Sequence, residues 1–361
     1  MKNLLPSQQA SRQIQSFLLV SLSMRYYIVT TTNFADECLE FLTYGATQSN
    51  WLVNIDIDDI IFLSQFNYRS QHLFGPLRAS NTLFYNKNII YPQQRYFYRI
   101  QFNPINSVKY IEETDLYING IQLKNLPLYV RIINLIQQNK HLHCISLTAS
   151  EGEALSHTLE RTGINLSRGH VSELSGDSPP VDRKYIWGKN RLDRRSIFSS
   201  ESDLESYLIL SLKNSQFKEY KSLQEGLNKH QNNELHLSEI YNQFIFGNAY
   251  PCDILILNDK NINVFELKRD KLTQSVIPQI EKEIKKHLYY SMHSDRIKSS
   301  DDLRRFNFYL ICSRHQNNKH FKKLIYEKYF RLCGKLNNLR ENTVTVVEYH
   351  VNNNILFLEE V

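Results

Sequence analysis

Absent from the 361 residues is any run approaching the roughly 18 consecutive apolar residues that a membrane-spanning helix needs, so no bilayer partner is expected. Cysteine is scarce. The five that occur, Cys38, Cys144, Cys252, Cys312 and Cys333, are widely scattered, and none forms a C-x-x-C pair. An odd number at such spacings argues against a disulfide framework and against a zinc ribbon; it reads as reduced thiols in a cytoplasmic protein. Charge of one sign is not in large excess: 43 Lys and Arg against 37 Asp and Glu leave +6. That balance is compatible with a polyanionic partner without demanding one, because whole-chain charge says little about local patches. Internal repeats and low-complexity tracts are missing as well. A secretion signal is not expected. The apolar stretch Phe17–Met24 after Arg12 is short and lacks a small-residue cleavage site, so residues 1–24 read as an N-terminal extension, with Met24 an alternative start.

What is present suffices for folded cores: 42% hydrophobic residues, 22 of the chain's residues being tyrosine. Length alone suggests two domains. Residues 25–165 are rich in aromatics and strand-like runs. Residues 166–199 lose all periodicity around Ser172, Ser175, Gly176, Ser178, Pro179 and Pro180, and read as a linker. Residues 200–361 resume regular patterns.

In the first region, strands are expected at Tyr26–Thr30, Ile60–Phe66, Phe74–Ala79, Tyr96–Phe102 and His143–Leu147. Helices are expected at Ala35–Leu42, Leu128–Gln137 (entered through Pro127) and Glu151–Arg161. The sum is a small, strongly curved sheet with flanking helices. In the last region, strands at Ile240–Phe246, Asp253–Leu257, Asn263–Lys268, Phe306–Cys312, Val344–His350 and Ile355–Leu358 alternate with helices at Asp203–Leu212, Val276–Tyr290 and Lys319–Leu332. That pattern is α/β.

The chemistry-bearing residues lie in that last region. Asp253 opens a strand, a polar turn follows at Asn258–Asn261, and the returning strand carries Glu266-Leu267-Lys268. A two-residue period sets Glu266 and Lys268 on one face, and the turn brings Asp253 back towards it. Two converging carboxylates are hard oxygen ligands suited to Mg²⁺, with Mn²⁺ as a substitute. A bound divalent ion with an adjacent lysine meets the needs of phosphodiester hydrolysis: an activated water, neutralised phosphate oxygens and a stabilised leaving group. Alternatives stand beside this reading. Glu266 and Lys268 also suit a solvated strand edge, and Ser202-x-x-Glu205 also suits a helix capping box.

The order Glu205, Asp253, Glu266-x-Lys268, Gln279 resembles the PD-(D/E)XK nuclease superfamily, with Pro251 two positions before Asp253. The resemblance implies a restriction-endonuclease-like α/β fold with a central mixed sheet. It also implies Asp253, Glu266 and Glu205 as metal ligands, Lys268 as the group that orients water or stabilises charge, and Gln279 as a positioning group. Such nucleases often pair two active sites to cut both strands, which implies a homodimer.

The segments Ile61–Ala79 and Tyr91–Ile100, with the Pro127 helix, resemble a PUA-like barrel of the DCD, YTH and EVE kind. The resemblance implies a reader that holds a modified or flipped base in an aromatic pocket. Trp51, Tyr68 and Tyr85 are its candidate aromatic residues, and each also suits ordinary core packing. Arg95 and Arg99 are expected on one strand face as phosphate contacts. The stretch Arg183–Arg195 adds Arg183, Lys184, Arg191, Arg194 and Arg195 with interleaved Tyr185 and Trp187, a pattern suited either to nucleic acid or to a docked linker. Together these point to a Mg²⁺-dependent endonuclease acting on double-stranded DNA with a modified base, in restriction or antiviral defence. An RNA-cleaving enzyme and a base-binding protein with an inactive nuclease fold are the alternatives.

Overall fold

In the computed structural model, the described residues are 24–66, 71–92, 95–166, 174, 176–190, 198–213, 239–247, 251–258, 261–297, 305–335, 343–352 and 355–361. Apolar, β-branched and aromatic runs set the strands. Tyr26–Thr30 (β1) is buried along its whole length because strands and helices cover both its faces. Helix α1 (Ala35–Glu40) and strand β2 (Thr43–Ala46) follow, then a single 3₁₀ turn at Ser49–Trp51. Ile60–Phe66 (β3) and Gln71–Ala79 (β4) form an antiparallel hairpin. After the short β5 (Phe84–Tyr85) comes β6, Tyr98–Glu112. Helices α2 (Glu113–Gln122) and α3 (Leu126–Asn139), strand β7 (Cys144–Leu147), helix α4 (Ala149–Thr162) and β8 (Ile164–Asn165) complete this half.

The first sheet runs β2-β6-β4-β3-β1-β7, with β5 and β8 also on β6, and curls into a half-barrel. Strand β6 makes the curl, because one end pairs with β2 and β5 and the other with β4 and β8. It extends ten residues past the expected end at Phe102. Pro104 lacks a donor and Asn106 has φ +69°, so the sequence reads as a break there. A register shift between Gly75 and Leu77 on β4 lets the pairing resume. Gly75 has φ +146°, which a side chain would rarely adopt, and glycine there permits the bulge. Helix α2 was not expected from periodicity; Glu112 and Asp115 form a reciprocal cap at its start.

Helix α5 (Arg183–Asn190) lies in the stretch read as a linker, and it buries Ile186 fully with Trp187 packed beside it. The second half contains α6 (Glu201–Lys213), β9 (Glu239–Phe244), β10 (Cys252–Leu257), β11 (Asn261–Leu267), α7 (Ile277–His293), β12 (Arg305–Ser313), α8 (Asn318–Lys335), β13 (Thr343–Asn352) and β14 (Ile355–Glu360). Its mixed sheet runs β14-β13-β12-β11-β10-β9. The pairs β11–β12 and β12–β13 are parallel, so each needs a crossover, supplied by α7 and α8.

The two sheets share a core. One buried cluster runs from Tyr27, Tyr44 and Ile100 of the half-barrel to Leu204, Ile254, Phe265 and Tyr349 of the second sheet. A buried ion pair also joins the halves: Arg296 donates to Glu151 through Nε and Nη2, each at 2.9 Å, and to the Ser146 carbonyl at 2.7 Å. No helix among the described residues is long and apolar enough to cross a membrane.

Candidate active site

The antiparallel register of β10 and β11 pairs Ile254 with Phe265, which sets Asp253 opposite Glu266 at the open end of the hairpin. Both positions end apolar strands, so their side chains leave the core where the sheet opens. Asp253 Oδ2 accepts the Leu267 N–H at 2.7 Å. Lys268 Nζ donates to Glu266 Oε1 at 2.8 Å. Helix α6 brings Glu205 up from the other side.

Its start answers one alternative reading. Ser200 Oγ accepts the Asp203 N–H at 3.0 Å, so Ser200 caps the helix. Ser202 donates instead to Asn50 Oδ1 at 2.8 Å. Glu205 is therefore not a partner in a capping box. Its carboxylate accepts from Asn50 Nδ2 at 2.7 Å and from Gln243 Nε2 at 3.0 Å on each oxygen. The same Gln243 amide reaches Asp253 Oδ1 at 3.4 Å. Gln243 stands on β9 with φ +50°, an uncommon conformation for a residue with a side chain.

Burial, and then mutual repulsion, shapes the acidity here. Burial pushes the Asp253 carboxyl up to about 6, against the pull of the Leu267 N–H and Lys268. Burial followed by the nearby Asp253 raises Glu205 and Glu266 well above the usual carboxylate range. Burial works against the Lys268 ammonium, yet Glu266 outweighs it and holds Lys268 above its ordinary value.

These groups open onto two cavities. Glu205, Asp253, Gln243 and Asn50 line one of about 440 Å³, with Arg269 at its edge. Glu266 lines another of about 270 Å³ beside Gln279, Lys282 and Glu283. Gln279 is exposed and turns its amide to Glu283 Oε1 at 2.7 Å. Among the described residues no three acidic, histidine or cysteine side chains gather closely enough to enclose a metal ion. The donor set still fits a hard divalent cation. Mg²⁺ commonly rests on one or two carboxylates and completes its shell with water and phosphate. Buried, mutually raised acids are relieved by a cation.

The half-barrel carries an aromatic cavity of about 220 Å³ lined by Phe34, Tyr44, Gly45, Tyr91, Tyr96 and His143, among others. Tyr91 and Tyr96 lie 5.5 Å apart edge to face, Phe34 lies 5.7 Å from Tyr91, and Tyr96 lies 5.6 Å from His143. Burial lowers His143, so its ring is neutral at pH 7. Tyr44 donates to the Thr30 carbonyl at 2.7 Å and Tyr91 to the Thr43 carbonyl at 2.9 Å, which fixes the floor. A Cβ on Gly45 would stand 2.8 Å from Tyr96 Cβ, so only glycine lets the rings close over β2.

Of the aromatic residues expected to form a reader pocket, Trp51 and Tyr85 do not line this cavity. Trp51 packs between the halves, 5.9 Å from the His143 ring. Tyr85 packs against Phe97, Tyr98 and Tyr185. Arg99 is buried and donates to Tyr96 O at 2.9 Å, to Asn86 Oδ1 at 3.2 Å and to Asn88 O, so it braces a loop and faces no phosphate. Arg95 and Lys184 are exposed. Arg183 lies over the Tyr207 ring and donates to its hydroxyl at 3.0 Å. Tyr68, Arg191, Arg194 and Arg195 lie outside the described residues.

Sequence reasoning missed Asn50, Gln243 and the cage of Phe34, Tyr44, Tyr91 and Tyr96. For Gln243 a signal existed, since the β9–β10 register sets it opposite Asp253. No protein-family model matches the chain, and no curated protein shows significant similarity to it.

Proposed function

We propose that the protein is a divalent-metal-dependent nuclease of the PD-(D/E)XK kind, directed to DNA by a PUA-like reader of altered bases. The observation that carries this reading is the group at the hairpin mouth. Asp253 faces Glu266 across two strands, Glu205 joins through Gln243, and Lys268 is held on Glu266. Asp253 and Glu205 would hold Mg²⁺ or Mn²⁺, with Glu266 beside them. The ion would supply an activated water and neutralise phosphate charge.

The chain's own residues do the rest. Lys268 stays cationic because Glu266 and Asp253 favour its charged form, so it donates to a water or to the phosphate and does not serve as a base. Gln243 and Asn50 offer N–H groups that keep Glu205 turned towards the site. The aromatic cavity supports the reader. At about 220 Å³ it suits a single flat ring system stacked on tyrosine, below the ~300–1,000 Å³ of sites for larger ligands. Taking a base out of the duplex costs a few kcal/mol, which ring stacking offsets.

The test is cleavage of plasmid and phage DNAs, unmodified and carrying methyl- or hydroxymethyl-bases, with Mg²⁺ or Mn²⁺. Wild type is compared with Asp253→Ala and Lys268→Ala. Cutting of modified DNA that both substitutions abolish is the expected result. Equal cutting of all DNAs removes the reader and keeps the nuclease. Absence of cutting, with RNA also intact, overturns the reading in favour of a binding protein.

A further inference from the structure

The aromatic cavity and the acidic group lie in different halves, yet one short piece of chain forms part of both. Tyr44 and Gly45 on β2 line the cavity. Four residues beyond Gly45, the 3₁₀ turn Ser49–Trp51 enters the acidic site. There Ser49 Oγ meets Ser206 Oγ at 2.8 Å, and Asn50 Nδ2 donates to Glu205 Oε2 at 2.7 Å. Asn242 Nδ2 donates to the Asn50 carbonyl at 2.5 Å. Trp51 then packs on His143, which lines the cavity from its other side. The segment is thus tied to the cavity at both of its ends and to Glu205 at its middle.

The Asn50 amide has one workable orientation. Ser202 Oγ donates to Oδ1, and the carboxylate of Glu205 needs a donor, so Nδ2 must face Glu205. Asn50 and Glu205 are both largely buried and together border the cavity of about 440 Å³, so the amide is the protein donor that fixes the Glu205 carboxylate on that side. A shift of about 1 Å takes a 2.7 Å hydrogen bond out of range. Glu205 would then keep Gln243 alone.

We propose that Asn50 is a positioning residue through which an occupied base cavity sets Glu205 for cation binding. This inference rests on the nuclease reading and adds to it that the first half completes the second half's site. A ring seated against Tyr96 and His143 presses on both anchors of the segment and holds Asn50 in place. Cation and base therefore bind with reciprocal cooperativity.

The experiment is calorimetric titration of Mn²⁺ into the full chain, with and without a duplex carrying a methylated base, in wild type, Asn50→Ala, Ser202→Ala and Asp253→Ala. Thermal unfolding is followed in parallel. Wild type should bind Mn²⁺, and Asp253→Ala should abolish binding. Asn50→Ala should weaken Mn²⁺ about 10–100-fold, the range seen when a group that orients a metal ligand is removed. The duplex should strengthen Mn²⁺ binding about 5–150-fold in wild type and not in Asn50→Ala. Should Asn50→Ala not fold, Ser202→Ala leaves the main-chain contacts and should weaken Mn²⁺ in the same direction. Wild-type Mn²⁺ affinity in a folded Asn50 variant overturns the positioning role, and a wild-type affinity that the duplex leaves unchanged overturns the coupling. No Mn²⁺ binding by wild type overturns the nuclease reading itself, a result that is distinct from the other two.

Discussion

The ion pair of Arg296 with Glu151 gives the sharpest test of how the halves are joined. Glu151 is fully buried at the first turn of α4, and the Arg296 side chain is 2% exposed. The guanidinium lies 4.4 Å from the Phe244 ring centre and spends its remaining donors on the Ile245 and Ser146 carbonyls. Arg131 stands 3.3 Å from the same carboxylate. Burial would raise the Glu151 carboxyl, but Arg296 and the Thr148 N–H outweigh it and hold it below the usual range. Substitution Glu151→Gln keeps size and an acceptor for the Thr148 cap, while leaving the Arg296 charge buried against a neutral partner. Breaking a buried pair in this way costs about 3–5 kcal/mol. With a urea slope of about 3 kcal/mol/M, the unfolding midpoint should fall by about 1–1.7 M. The double variant Glu151→Gln, Arg296→Met should recover much of the loss, because the fully buried charge is then gone and Arg131, 28% exposed, keeps access to water. The pH dependence has a defined sign. A carboxyl depressed in the folded state contributes stability above its unfolded value of about 4.3, and that stability is lost as pH falls through the folded value. A Glu151→Gln cost under about 1 kcal/mol, the scale of an exposed pair, would refute the claim that this contact fastens the halves.

Two further expectations follow from the same geometry. Gly45→Val should abolish binding of altered-base DNA in a filter or fluorescence assay, in a variant that thermal unfolding shows to be folded, because its Cβ would collide with Tyr96 Cβ; unchanged affinity would mean the cavity is not the reader. Burial drives Lys213 down to about 8 despite its 2.5 Å contact with Asp56, so its charged form costs stability in the fold. Stability should therefore rise between pH 8 and the unfolded value near 10.4, by an amount on the order of 3 kcal/mol at the limit, and Lys213→Met should lack that rise; parallel urea-melt profiles for the two proteins would contradict it.

Local pattern made much of the framework legible. The strands at Tyr26–Thr30 and Ile60–Phe66 stand where apolar runs set them, and so does the hairpin that faces Asp253 with Glu266, because alternation and a polar turn fix register over a dozen residues. Alternation in β6 is legible only to Phe102, because Pro104 and Asn106 look like an ending, and a bulge on its partner β4 carries the pairing past them. Basic residues were harder to read. Arg99 and Arg183 carry the charge that nucleic acid attracts, yet loop carbonyls and the Tyr207 ring claim them, and nothing in their spacing says so.

Two of the residues that stayed hidden act across the junction between the halves, Asn50 on Glu205 and Glu151 on Arg296. Asn50, Gln243 and Glu151 are single polar side chains whose partners lie on elements distant in sequence, apart from the Gln243–Asp253 contact. A periodic pattern records a face that meets many neighbours, whereas a lone buried amide records one hydrogen bond and leaves no period. Such an amide is nonetheless costly to misplace, since a buried donor or acceptor without a partner costs about 1–3 kcal/mol. Loss of the Asn50 amide therefore disturbs the aim of Glu205, although only the acid belongs to a readable motif. Periodic patterns within each half do not record the contact that carries a residue of the first half into the acidic group of the second. In this chain that contact is the Asn50 amide on Glu205.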